Sequence, residues 1–185
     1  MAKSIFLPAL LLSTVCLLPA ANADQNDAEL DALFKALAET SNSDFLSRIE
    51  SRIWSIWYQH SDENVQAMLV AGDRLMNAGY HGDALRVFNA VVEQQPEFAE
   101  AWNRRATLHY LMGNSAASIR DIDRTLELEP RHFGALSGLG LVYLQQENLL
   151  KARETFEKLL IIHPNSPAGR QNLERVLEAL RTQFI

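Results

Sequence analysis

Two adjacent arginines and two nearby aspartates form the densest group of side chains that could take part in chemistry. Arg104 and Arg105 are neighbours, and Asp121 and Asp123 follow further along the chain. Arg104 could hold an anion or a carboxylate, whereas Arg105 could form an internal ion pair with either aspartate. We favour the structural role, because buried ion pairs more often fix geometry than bind ligands.

The other reactive side chains are scattered. No pair of histidines has the His-x3-His or His-Glu-x2-His spacing of a metal site, and we expect all five on the surface or in turns. Gly138-Leu139-Gly140 lies inside a helical pattern rather than in a phosphate-binding loop, and no Gly-x-Ser-x-Gly elbow occurs. The sequence therefore predicts no catalytic residue, no metal and no cofactor. The histidines are His60, His81, His109, His132 and His163.

The composition is that of one ordinary globular domain. The chain has 185 residues, of which 48% are apolar, so it can bury a core. Its formal net charge is -6. A nucleic-acid partner is disfavoured, because phosphate binding needs a basic patch.

The first 23 residues have the pattern of a signal peptide. A short basic start at Lys3 precedes an apolar stretch, and Ala21-Asn22-Ala23 is a small-x-small cleavage site. We expect cleavage after Ala23, no membrane span afterwards, and a periplasmic or secreted protein. An uncleaved anchor is the alternative, although the apolar stretch is shorter than the roughly 20 residues of a span. Cleavage would remove Cys16, the only cysteine, and so exclude a disulfide.

An internal repeat organises the rest of the chain. Pro96, Pro130 and Pro164 are each 34 residues apart, and each follows an amphipathic segment that a proline would end. The period defines the blocks 65–98, 99–132 and 133–166. Their eighth residues are small and their twenty-fourth residues are large and apolar, so each block is predicted to pair two helices closely. These residues are Gly72, Ala106 and Gly140, and Phe88, Ile122 and Phe156.

The segments on either side of the blocks also carry helical patterns. Residues 24–64 are predicted to form N-terminal helices that act as a degenerate repeat or a cap, and residues 167–185 to form a C-terminal capping helix.

These motifs resemble the tetratricopeptide repeat family, whose pattern is Trp-x2-Leu-Gly-x2-Tyr followed by Ala, Phe, Ala and Pro. The third block matches at Leu139, Gly140, Tyr143, Phe156 and Pro164. The resemblance implies an all-α fold, a right-handed superhelix of helical hairpins, over residues 65–166.

The resemblance also implies a concave groove lined by the first helix of each block. Carried over by position, the groove residues are Leu69, Asp73, Met76, Asn103, Thr107, Tyr110, Leu141 and Leu144. Arg104 is added to them as the possible contact for an anion or a carboxylate. Some family members grip a terminal carboxylate with Lys and Asn at the positions that Leu69 and Asp73 hold here, so that clamp is absent. An N-terminal helix at 27–40 could instead fill the groove.

The middle block departs from the family at two inward-facing positions, where it has Arg105 and His109. The junction that follows, Arg131-His132-Phe133-Gly134, is interpreted as a turn in which Phe133 packs and the polar residues are solvated.

The sequence therefore predicts an exported scaffold that binds a protein or peptide, in a role such as cell-envelope assembly. The alternative is a self-assembling structural protein, a homo-oligomer joined through exposed Trp54 and Trp57. An enzyme is disfavoured, because no feature supports catalysis.

Overall fold

The computed structural model describes residues 24–182, and all regular structure in that range is helical. Residues 1–23, predicted to be a signal peptide, and residues 183–185 lie outside the described range. A short 3-10 turn is followed by nine α-helices. In chain order they are α1 (Glu29–Glu39), α2 (Ser43–Tyr58), α3 (Glu63–Asn77), α4 (His81–Gln94), α5 (Ala99–Leu111), α6 (Ser115–Leu128), α7 (Phe133–Gln145), α8 (Leu149–Ile162) and α9 (Pro167–Thr182).

Helices α3 to α8 form three antiparallel hairpins that stack side by side into an all-α solenoid. The small eighth residues let the paired helices approach closely. A Cβ atom on Gly140 would lie 2.5 Å from the ring of Phe156, and one on Gly72 would overlap the ring of Phe88. The close pairing predicted from the repeat is therefore confirmed at both glycines.

The turn inside each hairpin requires a left-handed residue. Gly79 and Gly113 fill this position in the first two hairpins, with φ of 80° and 75°. The third hairpin has Glu147 there, with φ of 57°. In each turn a backbone N–H reaches back to close the helix, as Asn148 does to the carbonyl of Tyr143 at 2.9 Å. Glu147 therefore adopts a conformation that disfavours an L side chain.

Helix α9 closes the C-terminal end of the solenoid. It packs along α8, and Val176 is fully buried between the two helices. Gly169 allows close contact with Leu159.

The N-terminal hairpin leaves the stack. Helix α2 does not pack along α3 in the way that α4 packs along α5 and α6 along α7. It crosses the concave face instead, and its aromatic residues meet Phe133 at the start of α7. Trp57 is 1% exposed and Trp54 is half-buried, so the prediction that they form an exposed oligomer surface is wrong. Both indole rings pack against other side chains of the same chain.

Polar contacts tie this hairpin to the distant end of the chain. The side-chain amide of Asn165 donates to the backbone carbonyl of Thr40 at 2.6 Å. The guanidinium of Arg131 donates to Asp31 at 2.7 Å. The hairpin α1–α2 is therefore fixed against the third repeat as well as the first.

The polar cluster predicted in the middle repeat is structural. Arg105 donates two hydrogen bonds to Asp121, both 2.8 Å long, and a third to Asn89 at 3.0 Å. His109 lies 3.8 Å from the same aspartate. Asp123 is exposed and makes no contact with Arg105, so only one of the two predicted partners is correct.

Among residues 24–182, no helix is both long and apolar enough to cross a membrane. The same residues contain no group of three His, Cys, Asp or Glu side chains arranged to hold a metal ion.

Candidate binding groove

The concave face is built by α3, α5 and α7. Helix α2 covers one part of it and leaves the other part uncovered. The N-terminal ends of α5 and α7 lie under Trp54 and Trp57, and we call this part the covered groove. The part beyond it, towards the C-terminal ends of α5 and α7, is open to solvent and is called the open groove.

The open groove has a volume of about 300 Å³ and a mostly apolar lining. At its floor the hydroxyl of Ser118 donates to the carbonyl of Ala106 at 2.9 Å, so this polar group is already satisfied. At its rim Thr107 and Leu111 are exposed. The lining residues are Asn103, Ala106, Thr107, Tyr110, Leu111, Ser118, Ile122, Gly134, Ser137, Gly138 and Leu141.

Small residues shape the α7 side of the open groove. Gly134, Ser137 and Gly138 leave the helix backbone accessible on this side. A Cβ atom on Gly138 would meet only the Cδ1 atom of Ile122, at 3.7 Å. The geometry therefore suits an apolar side chain or a helix that lies against α7.

Arg104 occupies the covered groove and is held on several sides. Its guanidinium lies 2.6 Å from Glu100 and 3.8 Å from Asp73, and it stacks 5.2 Å from the Tyr58 ring. The indole of Trp54 is 5.8 Å away. Burial by itself lowers the pKa of Arg104, but the charges of the two carboxylates raise it above its usual value. Arg104 therefore stays charged beneath α2.

Tyr58 and Asp73 join α2 to the first repeat. The phenol of Tyr58 donates to Asp73 at 2.6 Å. Burial raises the pKa of the Asp73 carboxyl, and the charge of Arg104 and the Tyr58 hydrogen bond only partly oppose this. The pKa of Tyr58 is also raised, first by burial and then by Asp73.

Glu100 is the buried centre of the covered groove. Its side chain is fully enclosed, and it accepts a hydrogen bond from Asn103 at 2.9 Å. Besides Arg104, it also contacts the Nε2 atom of His132, at 3.0 Å. Burial raises the pKa of this carboxyl, but the His132 hydrogen bond and the Arg104 charge outweigh it, so the net shift is downward.

His132 links this carboxylate to α2 and α7. Its Nδ1 atom accepts the backbone N–H of Ala135 at 3.0 Å and so caps α7. Because Nδ1 accepts this bond, Nε2–H is the donor to Glu100. The ring also stacks on Trp57, with centroids 4.1 Å apart and planes 12° apart.

The sequence interpretation of this junction was therefore partly wrong. Phe133 is packed as expected, but His132 is completely buried rather than solvated. His60 and His163 are also buried, at 7% and 2% exposure. These three histidines lie in the connections between helices, as the alternative of turn positions allowed, but none of them is on the surface. Glu100 was missed altogether, although it lies in α5, the first helix of its block, which was expected to line the groove.

The predicted groove residues fall into distinct environments. Leu69 and Met76 lie in the core between α3, α4 and α5, with 0% and 8% exposure, so their predicted groove-facing orientation is wrong. Tyr58 packs against the same core, which explains why Leu69 is covered. Leu144 packs towards the α8–α9 core instead of lining the open groove. The residues that line it from the predicted set are Asn103, Thr107, Tyr110 and Leu141.

The groove is occupied in part by the chain itself. The sequence analysis expected residues 27–40, the segment that contains α1, to fill the groove. The helix that reaches Arg104 and Asp73 is instead α2. Helix α1 packs behind α2, where Phe34 meets Trp57 with ring centroids 5.9 Å apart.

A solenoid of helical hairpins with an accessible concave groove defines a helical repeat protein of the scaffold class. A family model described as tetratricopeptide repeat matches residues 69–114 and 105–167. The chain belongs to the tetratricopeptide repeat family.

Two relatives illustrate the range of the family. A TPR repeat-containing protein of Rhizobium etli is 31% identical over 151 residues, which cover 82% of this chain and 74% of the relative. The DnaJ homolog subfamily C member 3 of Rattus norvegicus is 32% identical over 116 residues, which cover 63% of this chain. That match spans only 23% of the DnaJ homolog, so this chain corresponds to a small part of it.

The fold also matches solved structures. The first TPR domain of Spaghetti (RPAP3), bound to the HSP90 peptide SRMEEVD, superposes with a TM-score of 0.62. The superposition covers 65% of this chain and 96% of that domain at 17% identity, so it supports the fold alone.

Proposed function

We propose that this protein is an exported scaffold that binds a protein or peptide partner in the open groove, as part of cell-envelope assembly. The observation that carries the proposal is the open groove itself. It is concave, largely apolar and about 300 Å³ in volume, and it continues a surface on which α2 is already seated.

The seated helix indicates what kind of partner fits. Helix α2 meets the covered groove through aromatic residues, Trp54 against Gly134 and Trp57 against His132. Gly134 also lines the open groove. A partner helix with apolar or aromatic anchors would therefore find the same kind of surface next to α2.

The proposed mode differs from recognition of a terminal carboxylate. The Spaghetti (RPAP3) domain was solved with a peptide that ends in Glu-Glu-Val-Asp. In this chain the corresponding clamp positions hold buried Leu69 and Asp73, and Asp73 already accepts from Tyr58. Arg104 is engaged by Glu100. We therefore propose an internal or helical segment as the ligand.

Site-specific photo-crosslinking in intact cells tests the proposal. A benzophenone amino acid replaces Tyr110 in the open groove, and in a matched control it replaces Tyr80, which is 62% exposed outside the groove. We expect one protein to crosslink at Tyr110 and not at Tyr80, and Ser137→Arg to abolish that product by filling the groove. Crosslinks confined to α1 or α2 of the same chain would refute an open binding surface.

Export has its own test. Fractionation of the expressing cell and mass spectrometry of the N-terminus should find a chain that begins at Asp24 outside the cytoplasm. A chain that keeps residues 1–23 in the cytoplasm would overturn the exported role while leaving the groove proposal standing.

A further inference from the structure

In the part of the chain that the structure describes, no helix lies over the first end of the solenoid, where the repeat geometry would place one. In the second repeat, Arg105 reaches back to Asn89 of the preceding helix α4. In the third repeat, Leu139 and Tyr143 pack with Ile119 of the preceding helix α6. These contacts use the seventh and eleventh positions of the first helix in each hairpin.

In the first repeat the fourth, seventh and eleventh positions are Met68, Ala71 and Leu75, and α2 does not pack along them. Together with residues of α4 they line a shallow surface depression of about 490 Å³, separate from the concave face, which we call the end face. Ala71 is exposed, and Met68 and Leu75 are half-buried. The end face consists of Met68, Ala71, Leu75, Asp83, Arg86, Val87 and Ala90.

The end face is a two-helix layer with an apolar stripe on each helix. Met68, Ala71 and Leu75 lie at i, i+3 and i+7 on α3, and Val87 and Ala90 lie at i and i+3 on α4. Two such layers placed face to face form a four-helix arrangement, in which the stripes interdigitate. The small side chains of Ala71 and Ala90 permit close approach.

The charges on the end face are self-complementary. Asp83 and Arg86 form an exposed ion pair beside the apolar stripe. A two-fold axis through the face brings Asp83 of one copy towards Arg86 of the other, so each charge finds its opposite. A second copy of the chain therefore matches both the shape and the charge of this surface.

We propose that the end face is a dimer interface, in which two copies stack their α3–α4 hairpins about a two-fold axis. Helices of 15 and 14 residues are about 21 Å long, and two adjacent helices present a layer about 20 Å wide. Each copy then buries on the order of 400 Å², which is below the size of a permanent interface. The dimer is accordingly weak and reversible, and it leaves the open groove accessible.

Sedimentation velocity of the purified protein tests the dimer. The concentration should run from about 5 to about 500 µM, so that a weak, reversible dimer would pass from dissociated to associated. We expect the sedimentation coefficient to rise with concentration from the monomer to the dimer value. Ala71→Arg should keep the chain monomeric throughout, whereas Ala116→Arg, exposed on α6, should leave dimerisation unchanged.

A charge reversal separates the two-fold arrangement from a general stickiness of the surface. Arg86→Asp places like charges across the axis and should weaken the dimer at least about tenfold. The double variant Arg86→Asp with Asp83→Arg restores complementarity and should recover most of the affinity. A chain that stays monomeric at every concentration overturns the proposal. So does a dimer that Ala71→Arg does not disrupt, because its interface would lie elsewhere.

Discussion

Substitution of Gly134 measures how tightly α2 is seated on the concave face. A Cβ atom at Gly134 would lie 2.7 Å from Cζ2 of the Trp54 indole and closer still to Cη2. The indole cannot easily move, because Trp57 and Phe133 each enclose it with ring centroids 5.5 Å away. Overpacking of this kind lowers the free energy of unfolding by about 1–3 kcal/mol. Replacing a glycine in a helix by alanine raises it by less than about 1 kcal/mol, because alanine has the higher helix propensity.

We therefore expect Gly134→Ala to lower the free energy of unfolding by about 1–2 kcal/mol. Gly138→Ala is the matched control, one turn further along α7. Its Cβ would make an ordinary contact of 3.7 Å with Ile122, so the gain in helix propensity should raise stability by about 0.5–1 kcal/mol.

Urea unfolding monitored by tryptophan fluorescence and far-ultraviolet circular dichroism gives both free energies. Hydrogen exchange then locates the loss, which should be largest in α2, the helix that carries Trp54. The reasoning is refuted if the two variants are equally stable, because Trp54 would then not be held against the α7 backbone.

Three further substitutions test other parts of the structure. Glu147→Gly should raise the free energy of unfolding by about 0.5–1 kcal/mol, since glycine adopts the left-handed turn without strain; an unchanged denaturation midpoint would argue against strain there. Arg105→Leu should lower it by about 3 kcal/mol by leaving Asp121 buried without its partner, and the double variant with Asp121→Leu should recover most of that loss in the same denaturation assay. His163 lies beside Glu50, and burial lowers the pKa of its imidazole to about 4. In the unfolded chain this imidazole has its ordinary pKa of about 6.5, so as the pH falls the unfolded chain binds a proton that the folded chain does not yet bind. The free energy of unfolding should therefore decrease as the pH falls from about 6.5 to 4, by on the order of 2 kcal/mol after allowance for solvent screening. His163→Gln should flatten this part of the curve of unfolding free energy against pH. Equal slopes in the two proteins would contradict the assignment to His163.

The repeats could be predicted because their packing is local and periodic. Contacts between neighbouring helices recur with the period of the chain and so leave a regular pattern in the sequence. The pattern is visible in the spacing of Pro96, Pro130 and Pro164 and in the small residues Gly72 and Gly140. The Arg105 pair was predictable for the same reason, since its partner lies on the next helix.

The path of α2 could not be predicted in this way. Its contacts join residues with no fixed spacing, such as Tyr58 with Asp73 and Trp57 with His132. The burial of His132, and with it the network around Glu100, depends on that path. The assignment of Leu69 to the groove failed because the carried-over position assumes an uncovered first repeat.

The route of the N-terminal hairpin also changes how the molecule is expected to unfold. In an ordinary repeat array each unit contacts only its neighbours, so the ends can fray while the middle stays folded. Here the bond from Asn165 to Thr40 spans 125 positions of the chain, and that from Arg131 to Asp31 spans 100. Such contacts raise the contact order and couple the two ends of the array. The chain should therefore fold more slowly than a linear array of equal length, and lose its structure in one cooperative transition rather than repeat by repeat.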